Sequence, residues 1–244
     1  MQKVVGIIGG MGPIATVDLL NKIILYTPAT VDQDHIHVIV DNYSKIPDRT
    51  KAIINQDESP VSYIIESAKR LQNSGAEIIA IACNTAHYYY PQVQEAINTP
   101  ILHMPNEAIH FIKNNNINKV GLMTTDGTLK TGIYSNTLKN CGINVLEPDT
   151  WIQKKVMKSI QLVKRGNIAE GKRNIEEVAE WFVRMGAEAI VTGCTEIAYI
   201  LSSYKNVRII DPTTILAKVI VDVANKKIGS SSKNSGQSQV ISKS

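Results

Sequence analysis

The feature that most constrains the fold of this 244-residue chain is a repetition within it. "GAEIIAIACNT" (Gly75–Thr85) returns as "GAEAIVTGCTE" (Gly186–Glu196), an offset of 111 residues. "KVVGIIGG" near the start is matched by "NKVGLMTT" at an offset of 115, and "PILHMP" by "RIIDPT" at an offset near 108. A lone Gly-Ala-Glu match would mean little. Three matches in one order at nearly constant spacing describe two related halves. The longest match runs through small and β-branched residues to a cysteine in both copies. Each half would therefore carry a thiol at the C-terminal end of a strand, where open parallel sheets gather their ligands.

Strand-like and helix-like patterns alternate along the chain. Val4 to Ile8 reads as a buried strand, Gly9 to Pro13 as a turn, and the residues after it as a helix opened by Pro13. His35–Asn42 reads as a second strand, Pro60–Gly75 as a helix closed by glycine, and Glu77–Cys83 as a third strand. "TPILHM", "KVGLMTT", "AEAIVTGC" and "VRIID" supply further strands, with helices in Ile168–Gly186 and from Pro212 onward. This succession predicts an α/β chain with parallel sheets. Ser230–Ser244, rich in Ser, Lys, Asn and Gln, reads as a disordered tail without a catalytic role.

Composition narrows the partners. The net charge of +4 is scattered, and no basic patch is interleaved with aromatics, so no nucleic-acid partner is expected. No apolar run reaches membrane-spanning length, and no basic leader precedes "VVGIIGG". Three cysteines without close pairs fit neither a disulfide framework nor a zinc site, which predicts free thiols and a cytoplasmic location.

If the two halves face each other, Cys83 and Cys194 approach one cleft from opposite sides. One thiolate can then remove a proton from one face of a tetrahedral carbon while the other thiol returns a proton to the opposite face. Reversing the direction exchanges the roles. A free thiol titrates near 8.5, and nearby donors lower that value. Asn84, Thr85 and Thr195 follow the cysteines at strand-to-helix junctions, suited to holding a carboxylate while negative charge builds. His87 and Glu196 are close enough in sequence to tune the thiols or to bind a substrate ammonium. Cys141, in "LKNCGINV", lacks such neighbours and reads as structural. Arg49, in the polar loop "IPDRT", offers the planar fork that pairs with a carboxylate. Gly10 to Ala15 also satisfies G-x-G-x-x-A after a strand, the outline of a dinucleotide fingerprint. Asp32 and Asp34, about twenty residues on, precede the second strand, and Asp41 ends it instead. Such a cofactor would also leave the duplicated cysteines without a purpose.

The two cysteine motifs, together with "GIIGGMGPIAT" (Gly6–Thr16) and "NYSKIPDRT" (Asn42–Thr50), closely resemble the aspartate racemase branch of the aspartate/glutamate racemase superfamily. The resemblance covers Met1 to about Gly229. It implies two pseudo-symmetric three-layer α/β/α domains with parallel sheets, an active-site cleft between them and no cofactor. Its last helix returns to the first domain, implying residues 1–98 plus 212–229 for that domain and 99–211 for the second. It implies Cys83 and Cys194 as the catalytic acid/base pair, Arg49 as a substrate ligand, and Lys164 in "LVKRGN" as a second basic ligand. Asn42 and Thr128 are lesser substrate-binding candidates, and Met11 shapes a turn facing the cleft. Glutamate racemases typically carry histidine after the second Cys-Thr pair and an Asp-Ser-Gly opening. Glu196 and Gly-Met-Gly depart from both, toward aspartate. The expected activity is PLP-independent interconversion of L- and D-aspartate by two-base proton transfer. The expected partners are a small dicarboxylic amino acid and a second copy of the chain in a homodimer. A broader aspartate/glutamate or amino-acid racemase is the alternative reading. A non-catalytic two-lobed carboxylate-binding protein stands further off, since it needs no thiol on each side.

Overall fold

A computed structural model describes residues 2–225. The polar tail at 230–244 and the last residues of the helix expected to reach 229 lie outside the described residues. Two four-stranded parallel sheets organise the chain. The first contains β1 (Val5–Ile8), β2 (Val38–Asp41), β3 (Ile78–Ile81) and β4 (Ile101–Leu102), in the order β2-β1-β3-β4. The second contains β5 (Lys119–Thr124), β6 (Asn144–Leu146), β7 (Ala189–Gly193) and β8 (Arg208–Ile210), in the order β6-β5-β7-β8. The repetition extends to register. Val5 pairs with Ile78 and Val120 with Ala189, so the sequence offsets carry one pair onto the other.

The repeated Gly-Ala-Glu has a local physical explanation in both copies. Helix α3 (Val61–Asn73) precedes β3, and helix α9 (Ile168–Arg184) precedes β7. Gly75 and Gly186 follow them with φ of +94° and +78°, a left-handed conformation that costs glycine little. The next amides, of Ala76 and Ala187, each donate to a carbonyl in the preceding helix's last turn, Leu71 and Phe182, at 3.0 Å. The glutamates then reach across to the neighbouring strand. Val4 N–H donates to Glu77 Oε2 and Asn118 N–H to Glu188 Oε2, both at 2.8 Å. Glycine ends the helix, alanine enters the core, and glutamate ties the new strand to the central one.

Each sheet is covered on both faces. The first packs β1 and β3 against α3 and α4 (Tyr90–Glu95) on one side, through Ile8, Ile79, Ile64, Leu71 and Val93. On the other side Val5, Ile7 and Ile78 meet Leu19 and Ile23 of α1 (Pro13–Tyr26) and Leu216 and Ile220 of α11 (Pro212–Asn225). The second sheet meets α8 (Thr150–Lys164) and α9 on one face, through Val156, Ile160, Ile175 and Phe182. Its other face meets α5 (Met104–Asn114), through Ala108, Ile109 and Ile112. The final helix thus packs on the first sheet, beside α1. No helix among the described residues is long and apolar enough to cross a membrane.

Candidate active site

β3 and β7 are both interior strands, and each ends one or two residues before a cysteine. Cys83 leads into a 3₁₀ turn over Thr85–Tyr89, and Cys194 caps the short helix α10 (Thr195–Ile200). Both cysteines are 6% exposed and line one small cavity between the sheets. Met11, Arg49, Asn84, Thr85, Lys164, Thr195 and Glu196 line the same cavity. Asp48, Thr50, Thr125 and Gly193 complete its wall. Thr125 was absent from the sequence-selected residues, although the 115-residue offset lays it on Gly10 of the opening turn.

Three sequence candidates stand outside this lining. Asn42 is exposed beyond the end of β2. Thr128 is buried behind the wall, its hydroxyl 2.9 Å from that of Thr85 and 3.0 Å from that of Thr125. This cluster joins the first cysteine's turn to helix α6 (Asp126–Thr131) of the opposite half. His87 is fully enclosed as well. Its Nδ1 lies 2.8 Å from the Cys83 carbonyl and its Nε2 accepts the Met104 N–H at 3.1 Å. A carbonyl needs a donor and an N–H needs an acceptor, so the tautomer is fixed with the proton on Nδ1. Burial, assisted by His103, lowers the His87 pKa to about 3. His87 is therefore neutral and positions the Cys83 backbone.

The second thiol sits in a different field. Cys194 Sγ donates to Glu196 Oε2 at 3.0 Å, and the Thr195 hydroxyl donates to the same oxygen at 3.2 Å. Lys164 Nζ stands 3.8 Å from Glu196 Oε1. Burial, and then the Glu196 charge, push the Cys194 thiol well above its ordinary value.

Arg49 is structurally engaged. Asp48 caps α2 (Arg49–Asn55), so Arg49 opens a helix instead of lying in the loop expected from "IPDRT". Its Nη2 donates to the Met11 carbonyl at 2.9 Å, and its Nη1 donates to Pro47 at 3.0 Å and Ile46 at 3.4 Å. Its Nε is buried without a hydrogen-bond partner among the described residues, as is Asn84 Nδ2. Asn84 Oδ1 accepts from the Tyr134 hydroxyl. Unpartnered buried donors are uncommon in folded proteins, and both belong to side chains on the cavity wall. At the Gly-Met-Gly turn, a Cβ on Gly10 would lie 2.3 Å from the Tyr43 backbone, so the turn packs tightly against the chain after β2.

Comparison with known proteins places this geometry in context. The family model described as Asp/Glu/hydantoin racemase matches residues 8–220. The broad-specificity amino-acid racemase RacX of Bacillus subtilis (strain 168) is 31% identical over 223 residues, covering 89% of this chain and 96% of that protein. The glutamate racemase of Aquifex aeolicus is 26% identical over 187 residues, covering 72% and 70%. Among solved structures, the aspartate racemase of Picrophilus torridus superposes with a TM-score of 0.83 at 35% identity, covering 92% of this chain and 95% of that one.

Proposed function

The chain belongs to the Asp/Glu/hydantoin racemase family, and from that premise we propose that it racemises amino acids without a cofactor, by two-base proton transfer between Cys83 and Cys194. The observation that carries this reading is the meeting of the two thiols, one from each sheet, on a single cavity. The thiolate of one takes the α-proton, leaving an electron pair delocalised into the α-carboxylate. The thiol of the other then donates its proton to the opposite face. The two sulfurs finish with exchanged protonation states, and exchange with solvent resets them. Asn84, Thr85 and Thr195 are suited to the α-carboxylate, whose charge grows as the carbanion forms. Glu196 is suited to the ammonium, and a cation beside it would relieve the field that holds Cys194 protonated.

The aspartate-only expectation gives way here to the broader one. The relatives include an aspartate racemase, glutamate racemases and a broad-specificity amino-acid racemase. Arg49 and Lys164 favour a side-chain carboxylate, yet both already have protein partners and do not demand one. Aspartate is thus one substrate within a wider range.

The test follows α-hydrogen loss and optical inversion of aspartate and glutamate in deuterium oxide, with no cofactor or metal added. Wild-type protein should do both. C83S and C194S should each lose nearly all inversion, because a hydroxyl is a far weaker acid/base near neutrality, while C141S should retain it. Undiminished inversion by a folded C83S/C194S protein would refute the mechanism.

A further inference from the structure

The cavity between the thiols is small, about 30 Å³. Immediately outside lies a second hollow of about 620 Å³, which shares Asp48, Arg49, Lys164 and Glu196 with the first. These four charged side chains form a threshold. Beyond them the wall turns apolar, built by Ile14, Ile46, Val163, Ile168 and Tyr199. Ile14, Ile168 and Tyr199 are 47%, 38% and 52% exposed. Single exposed apolar side chains are ordinary, but three converging from α1, α9 and α10 on one hollow mark a surface suited to an apolar ligand group.

We propose that this vestibule is the side-chain subsite of the enzyme, and that it accepts long uncharged side chains such as those of methionine and leucine, with Ile14, Ile168 and Tyr199 as its selectivity wall. The inference rests on the racemase reading above and names its substrate class. An aspartate side chain is short enough to end at the threshold, against Arg49 and Lys164. A longer side chain must continue past them, and the vestibule is the adjoining space. Passing an apolar chain between two cations would be unfavourable if they depended on the ligand for a partner. Both already hold partners: Arg49 Nη1 and Nη2 donate to the Ile46, Pro47 and Met11 carbonyls, leaving Nε as the guanidinium donor without one, and Lys164 faces Glu196. An uncharged side chain therefore leaves no new unpaired charge behind it.

The experiment measures α-hydrogen exchange of L-methionine, L-leucine and L-aspartate in deuterium oxide, on the full chain. Wild-type protein is expected to exchange all three. Ile168→Asp places a charge on the wall at the first turn of α9, where an acidic residue is compatible with the helix. It should lower the methionine-to-aspartate ratio of kcat/KM by at least about tenfold, mainly through KM. Ile168→Trp keeps the wall apolar but fills the hollow, and should lower the same ratio. Tyr199→Asp supplies an independent second position with the same expected direction. Ratios that stay within about twofold of wild type in all three variants would overturn the proposal. So would a wild-type enzyme that exchanges aspartate but neither methionine nor leucine, which leaves the racemase reading standing. A protein that exchanges no amino acid would remove both.

Discussion

At the scale of single residues, the two thiols differ most in their relation to a carboxylate. Glu196 Oε2 accepts the Cys194 S–H at 3.0 Å, and its charge adds to burial in holding that thiol up. Glu196→Gln keeps the shape and removes the charge, so the Cys194 pKa should fall and the thiolate fraction at fixed pH should rise. In a C83S/C141S background, where Cys194 is the remaining cysteine, alkylation by iodoacetamide at pH 8 should accelerate, by about threefold for each pKa unit released. An unchanged or slower rate would show that Glu196 does not govern the thiol. The cysteines themselves were legible in the sequence because each ends a repeated segment. Glu196 was legible as a group able to tune a thiol, but its hydrogen bond to Cys194 was not, because that depends on how the first turn of α10 folds back the side chain two residues on. His87 was legible as a polar neighbour of Cys83 but not as a neutral strut, since its second partner, the Met104 amide, is 17 residues away.

At the scale of elements, the repeated segments and several amphipathic helices were legible, whereas the short pieces, and also α5 and α8 with 11 and 15 residues, were not read. β1, β3, β5 and β7 stand out as buried runs, and the Gly-Ala-Glu motif locates two helix ends. α2, α6 and α7 (Ser135–Asn140) have seven, six and six residues, too few to establish a 3.6-residue period. β6 has three residues and lies outside the repeated segments, whereas β4 and β8, as short, fall inside one. The 3₁₀ turn after Cys83 is another short piece, and His87 binds it to the first residue of α5. That strut carries a pH signature. The folded-state pKa of about 3 lies below the ordinary value of 6.5, so below pH 6.5 the unfolded chain takes up a proton that the folded chain refuses. Stability from this residue is complete above pH 6.5 and declines as pH falls toward 3, by about 2 kcal/mol at pH 5. His103, whose ring centroid is 5.0 Å away, is also lowered by burial and acts in the same direction. Comparing wild type with His87→Gln isolates the one residue. Urea unfolding should show the variant weaker at pH 7.5, by about 1–3 kcal/mol for the lost strut, with the gap narrowing toward pH 5. Parallel stability curves would rule out the buried neutral histidine.

At the scale of the whole molecule, Cys83 and Cys194 line one small cavity within a single polypeptide. A homodimer would thus carry this cysteine pair once per copy. The cavity between the thiols is small, about 30 Å³, beside a hollow of about 620 Å³. We predict that the two halves part to admit an amino acid. The halves also meet through α5 against α11 and α1 against α10, but the seam beside the thiols is that between α2 and α6. There Lys130 Nζ donates to the Ile53 carbonyl at 3.2 Å, and the Thr85 hydroxyl meets those of Thr125 and Thr128. Gly127 allows the closest approach, since a Cβ added to it would lie 3.0 Å from Thr50 Cα. Ile54 and Lys130 are exposed on opposite sides of this seam, so cysteines there can be joined by a short bifunctional thiol reagent that leaves a reducible bridge. The I54C/K130C protein, unbridged, should exchange the aspartate α-hydrogen. Bridged, with the link verified by mass, it should lose most of that activity and regain it with dithiothreitol. Wild-type protein taken through the same treatment controls for the native thiols. Comparable exchange before and after locking would mean that substrate reaches Cys83 and Cys194 without the halves separating, and that the vestibule alone supplies the path.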